Sequence, residues 1–103
     1  MDEWKKIEVE GIARIEKCVA EFVVWESYKV PYGGKFKVKI FEREASFVGF
    51  TNLSVKDKEE GSVGYGLSIE EALEDTLINF MEVLDQRAEF VESDFEWADP
   101  DDF

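Results

Sequence analysis

The chain has 103 residues, a net charge of −13 and an aromatic content of 15%, which suits one domain with a small core and argues against a disordered polyanion. No run of about 18 apolar residues and no signal-peptide pattern occurs, so membrane spanning and secretion are not expected. There is no histidine and one cysteine, Cys18; the usual general base and metal ligand are missing, no internal disulfide can form, and a cytoplasmic location fits.

The charge is segregated. Residues 1–66 hold 11 basic and 12 acidic residues, while residues 67–103 hold 1 basic and 13 acidic. A half-chain this acidic repels nucleic acid and anionic membranes and attracts basic proteins. Plain solubility is the competing explanation.

In chain order, residues 1–25 are ambiguous. Trp4, Ile7, Gly11, Ile15, Cys18, Val19 and Phe22 fit a helical stripe that Asp2 would cap, whereas Lys6–Glu10 alternates and Val19–Trp25 is β-branched and aromatic. We expect a short first element, then a helix or strand ending near Trp25. Cys18, in an apolar run with no histidine to activate it, reads as a small buried hydrophobe. Ser27–Gly34 is a loop punctuated by Pro31, Gly33 and Gly34, with Tyr28 and Tyr32 as anchors.

Lys35–Phe41 alternates, which sends Phe36, Val38 and Ile40 inward and Lys35, Lys37 and Lys39 to water. A turn at 43–45 leads to a second strand over Ser46–Leu53 and an antiparallel hairpin. Lys56–Gly61 is a charged loop, and Ser62–Gly66 a short third strand whose glycines permit a sharp exit. Ser68 then caps a long amphipathic helix, with Glu71 completing a capping box. Ile69, Leu73, Thr76, Leu77, Phe80 and Leu84 form its apolar stripe.

The opposite side reads Glu70, Glu71, Glu74, Asp75, Glu82, Asp85 and Glu89, along roughly 28 Å of helix. Five like-charged pairs at three or four residues' separation cost together about 1–2.5 kcal/mol, so packing must hold the helix against its own surface. Ile78 falls among these acids, an apolar centre with a charged surround, as in many binding hot spots. Behind the helix, Phe90, Phe95, Trp97 and Phe103 alternate with acids including Asp94 and Glu96. They either dock the tail or anchor it in a partner. Asp99, Asp101 and Asp102 fall short of a calcium loop and offer at most weak divalent binding.

The expected architecture is α+β: an antiparallel three-stranded sheet packed by one long amphipathic helix, with an extra N-terminal element. It forms a single domain divided into 1–34 (N-terminal element and loop), 35–89 (core) and 90–103 (acidic aromatic tail). Phe47-Val48-Gly49-Phe50 with Leu53, followed by Gly66-Leu67-Ser68-Ile69-Glu70-Glu71-Ala72-Leu73, resembles the HicB-type antitoxin domain. The resemblance covers about half the chain and implies a β-β-β-α unit that neutralises a small ribonuclease toxin. Ser54-Val55 replaces the family's usual Pro-Gly turn, and no DNA-binding module follows the helix.

No phosphate loop, dinucleotide fingerprint or zinc spacing is present. The paired carboxylates sit on a solvated helix where nothing desolvates them. An enzyme is not expected, nor a cofactor or resident metal. Binding remains. Seven carboxylates over roughly 28 Å give about one per 4 Å, close to the one per about 3.4 Å of a single phosphate strand.

The chain therefore reads as an acidic inhibitor that occludes the basic nucleic-acid site of a partner protein. In size and charge it is similar to phage-encoded DNA-mimic and anti-CRISPR inhibitors, with no motif in common. The candidate contact residues are Glu70, Glu71, Glu74, Asp75, Ile78, Glu82, Asp85, Glu89, Asp94, Glu96 and Trp97. Two alternatives stand beside this reading: a HicB-like antitoxin relative, and a structural module that homodimerises through its sheet edge.

Overall fold

A computed structural model of the chain describes residues 3–56 and 62–98, apart from the side chain of Tyr32. Asp2, the loop from 57 to 61, and Asp99, Pro100, Asp101, Asp102 and Phe103 lie outside the described residues, and with them the expected cap, the charged loop and the terminal aspartates. One helix packs on an antiparallel sheet, as the hydropathy pattern requires. The strands are β1 (Lys17–Trp25), β2 (Lys35–Glu42), β3 (Phe47–Thr51), β4 (Leu53–Val55), β5 (Val63–Gly66) and β6 (Phe95–Trp97), and α1 spans Ile69–Leu84.

The short first element is a 3-10 turn over Glu3–Lys6 and the second is a strand, so among the described residues the main sheet has four, in the order β1-β2-β3-β5. β1 wins over a helix because its apolar residues alternate. Ala20, Phe22 and Val24 stand opposite Ile40, Val38 and Phe36, placing one apolar row on the inner face. The register slips between Cys18 and Ala20. Cys18 is exposed there, not buried as its apolar neighbours suggested. Residues 7–16 form neither the helical stripe nor a ladder. They carry one turn, closed by the Ile12 N–H on the Val9 carbonyl with Gly11 at a φ of 90°, and leave Ile7, Val9 and Ile12 exposed. The radius of gyration is 15.1 Å against about 13 Å for a compact chain of this length.

The hairpin β2–β3 turns through the Arg43 N–H on the Ser46 carbonyl. The expected second strand breaks at Asn52, whose N–H and Oδ1 both bond the backbone of Lys37. Leu53–Val55 then leaves the main sheet and pairs with β6, with Val55 opposite Phe95. The tail is thus docked through a buried Phe95. Tyr28, by contrast, is 90% exposed and anchors nothing. Its loop is held instead by the buried Glu26 carboxylate, which accepts the N–H groups of Tyr28, Lys29 and Val30.

Phe36, Val38 and Ile40 on β2 meet Ala72, Phe80 and Leu84 on α1, with Leu53, Val55 and Phe95 closing one end. The Phe36 and Phe80 rings lie 4.7 Å apart. Each large buried side chain contributes about 1.5–3 kcal/mol. Over β3 and β5 the contact is of another kind. The inner-face positions Gly49, Gly64 and Gly66 have no side chain, and an added Cβ would stand 2.2 Å from Thr76 Oγ1, 2.2 Å from the Thr76 N and 2.5 Å from the Ala72 N respectively. Backbone meets backbone there. Thr76 is fully buried and satisfies its own hydroxyl by donating to the Ala72 carbonyl at 2.7 Å.

Gly64→Ala must therefore push the helix off the sheet. Overpacking of this kind costs about 1–3 kcal/mol, and thermal unfolding followed by circular dichroism should register a fall in Tm of about 4–15 °C. An unchanged Tm would mean that the close approach is not there.

Candidate functional site

Ser68 and Glu71 build the helix start. The Glu71 N–H donates to Ser68 Oγ at 3.1 Å, and Glu71 Oε2 accepts the Leu67 N–H at 2.7 Å, one residue further back than a simple capping box. At the other end, Lys29 Nζ donates to the carbonyls of Leu84 and Arg87, each at 2.9 Å, and lies 3.4 Å from Asp85 Oδ1. A cation from a distant loop thus answers the carbonyls and the negative pole of the dipole that the helix's own sequence leaves unanswered.

The two flanks of α1 differ. One is tied to β5, where Asp75 Oδ2 accepts the Tyr65 N–H at 2.8 Å and Asn79 Nδ2 donates to the Val63 carbonyl at 2.7 Å. Asp75 and Glu71, both among the predicted contact residues, are therefore engaged in holding the fold. The other flank carries Leu73, Leu77 and Met81, all half-buried, and Ile78, which is 49% exposed. With Glu70, Glu74, Glu82 and Asp85 these residues line a shallow, open depression of about 580 Å³. Among the described residues, four carboxylates and no cation line it. Along the helix they span about 22 Å.

The remaining predicted residues lie elsewhere. The helix ends at Leu84, so Glu89 is not on its face but is exposed in the irregular stretch that follows. Asp94 accepts the Val91 N–H at 2.8 Å and lies 3.3 Å from the Arg87 guanidinium, which sits over the Phe90 ring. Glu96 and Trp97 are on β6. Five of the eleven share one surface: Glu70, Glu74, Ile78, Glu82 and Asp85.

Periodicity placed Leu73 and Leu77 in the core and gave Met81 no role. Their spacing of four along one row at the stripe's border was the available signal. Ala72, fully buried with its backbone against Gly49 and Gly66, carries too small a side chain to mark the stripe. Lys29 was invisible because its partners lie more than 50 residues away.

A second depression, of about 780 Å³, lies between the N-terminal arm and the β2–β3 turn, with Trp4, Ile7, Ile12 and Arg43 among its lining. Ion pairs hold it together: Lys5 to Glu42 at 2.6 Å, and Arg43 to Glu16. No protein-family profile, curated protein or solved structure matches the chain.

The Val91 N–H, with the Arg87 guanidinium adding to it, holds the Asp94 carboxyl below the usual carboxylate range. Its folded pKa is thus lower than its unfolded one. The contribution is complete above the ordinary carboxylate pKa and is lost as pH falls through the depressed value. In an acid titration followed by NMR, the amide signals of Val91 and Lys56, whose N–H donates to the Asp94 carbonyl, should move together over that window. Asp94→Asn should abolish the transition; its persistence would assign it to another group.

Proposed function

We propose that the protein is a non-enzymatic, acidic protein-binding inhibitor that occupies the basic nucleic-acid site of a partner. What supports this is the open flank of α1, where Glu70, Glu74, Glu82 and Asp85, the last shared with Lys29 at the helix end, surround an apolar centre that no cation lines among the described residues. Four carboxylates over about 22 Å amount to one per about 6 Å, sparser than a phosphate strand. The acids thus steer encounter with a basic surface and exclude acidic competitors, while the apolar centre supplies holding contacts. A small basic ribonuclease toxin, as the HicB resemblance suggests, is one such partner.

The double variant Glu74→Lys with Glu82→Lys tests the proposal. Both residues are exposed, and no fold-holding hydrogen bond described above uses them. The parent protein should capture basic nucleic-acid-binding proteins from lysate at low salt, in competition with added DNA or RNA. The variant should lose that capture by at least about tenfold with an unaltered circular dichroism spectrum. Undiminished capture contradicts the proposal.

A structural role through self-association is the second reading, favoured by β1, which among the described residues is an edge strand, nine residues long with exposed Val23 and Trp25. It predicts a dimer by light scattering that dissociates when Val23 is replaced by Lys. A monomer at all accessible concentrations rules it out.

A further inference from the structure

We infer that the open flank of α1 is the seat for a basic amphipathic helix of the partner, which would lie beside α1 as a second helix on the sheet. The inference rests on the proposal that this flank is the binding surface, and adds what shape binds there.

The sheet is wider than its cover. Three inter-strand steps of about 4.8 Å separate the axes of β1 and β5 by about 14 Å, and a helix with its side chains is about 10–12 Å across. The glycine positions on β3 and β5 draw the α1 backbone to that side, and it meets β2 through side chains such as Phe80 on Phe36. The result is visible along the inner face. Phe36, Val38 and Ile40 on β2 are at most 2% exposed, while Ala20, Phe22 and Val24 on β1 are only partly buried. Leu73, Leu77 and Met81 are left half-covered on the same side of α1. They form a row at i, i+4 and i+8, the ridge against which a neighbouring helix packs at an axis distance of about 8–10 Å.

Charge decides the occupant. A helix seated there sets one apolar row on Leu77, Ile78 and Met81 and carries its polar residues past Glu70, Glu74 and Glu82; Lys and Arg at those points complement the rim. A second copy of this chain would bring its own net charge of −13, and the residues after Trp97 include Asp99, Asp101 and Asp102. Both are repelled. The near-neutral N-terminal arm is tethered elsewhere, at the β2–β3 turn.

Three synthetic peptides of equal positive charge separate the possibilities: a Lys/Leu helix with apolar residues at i, i+4, i+7 and i+11, a shuffled peptide of the same composition, and an oligolysine. The helix should bind at least about tenfold more tightly than the other two. In the NMR spectrum it should shift the amides of Leu77, Ile78 and Met81 together with those of Phe22 and Val24.

Ile78→Glu gives the sharpest sign. It adds a carboxylate, so attraction by charge alone predicts tighter binding, whereas a seated helix predicts about tenfold weaker binding. Equal binding of all three peptides, or a gain with Ile78→Glu, overturns the inference and leaves the acidic-surface proposal standing. Failure of every peptide to bind overturns both.

Discussion

The close approach of α1 to β3 and β5 is the constraint from which the rest of the architecture follows. It depends on Gly49, Gly64 and Gly66 presenting no side chain to Thr76 and Ala72. A larger residue at any of the three would lift the helix and slacken the tie from Asp75 to Tyr65 and from Asn79 to Val63. Because that side is held so closely, the helix cannot also sit over β1. A two-layer fold with one helix on four strands must leave part of its inner face under-covered, and the glycines determine which part.

The acidic half of the chain is tolerated because many of its carboxylates have structural work. Glu71 caps the helix start, Asp75 ties the helix to β5, Asp85 shares Lys29 with the last carbonyls, and Asp94 closes the turn before β6. Lys29 matters most among the counter-charges, since it comes from a loop whose shape depends on the buried Glu26. Removing these acids in thought leaves Glu70, Glu74 and Glu82 as exposed charges around the apolar centre of α1. The net charge overstates the binding surface, and the arrangement of the free acids is what gives that surface a direction.

The helix, its cap, the β2–β3 hairpin and the inward row Phe36, Val38 and Ile40 were legible in the sequence, because each obeys a local period or a capping rule. The fourth strand was only half-legible. The β-branched and aromatic run Val19–Trp25 competed with a stripe running from Trp4 to Phe22, and pairing with β2, which no local pattern reveals, decided between them. The apolar neighbours of Cys18 imply burial, whereas it lies exposed at a slip of register. The glycines looked like turn residues, yet their use is to admit a helix. Of the candidate surface, the acids and Ile78 could be seen on a helical wheel. The half-covered state of Leu73, Leu77 and Met81 could not, since it depends on how far the sheet extends beyond the helix.

Solvent access along α1 tests this account most directly. Hydroxyl-radical footprinting of the free protein should label Leu73, Leu77, Ile78 and Met81 while leaving Ala72, Thr76 and Phe80 silent, and addition of a basic helical ligand should protect the first group alone. Uniform protection of both groups in the free protein, or labelling that does not change on binding, would contradict it.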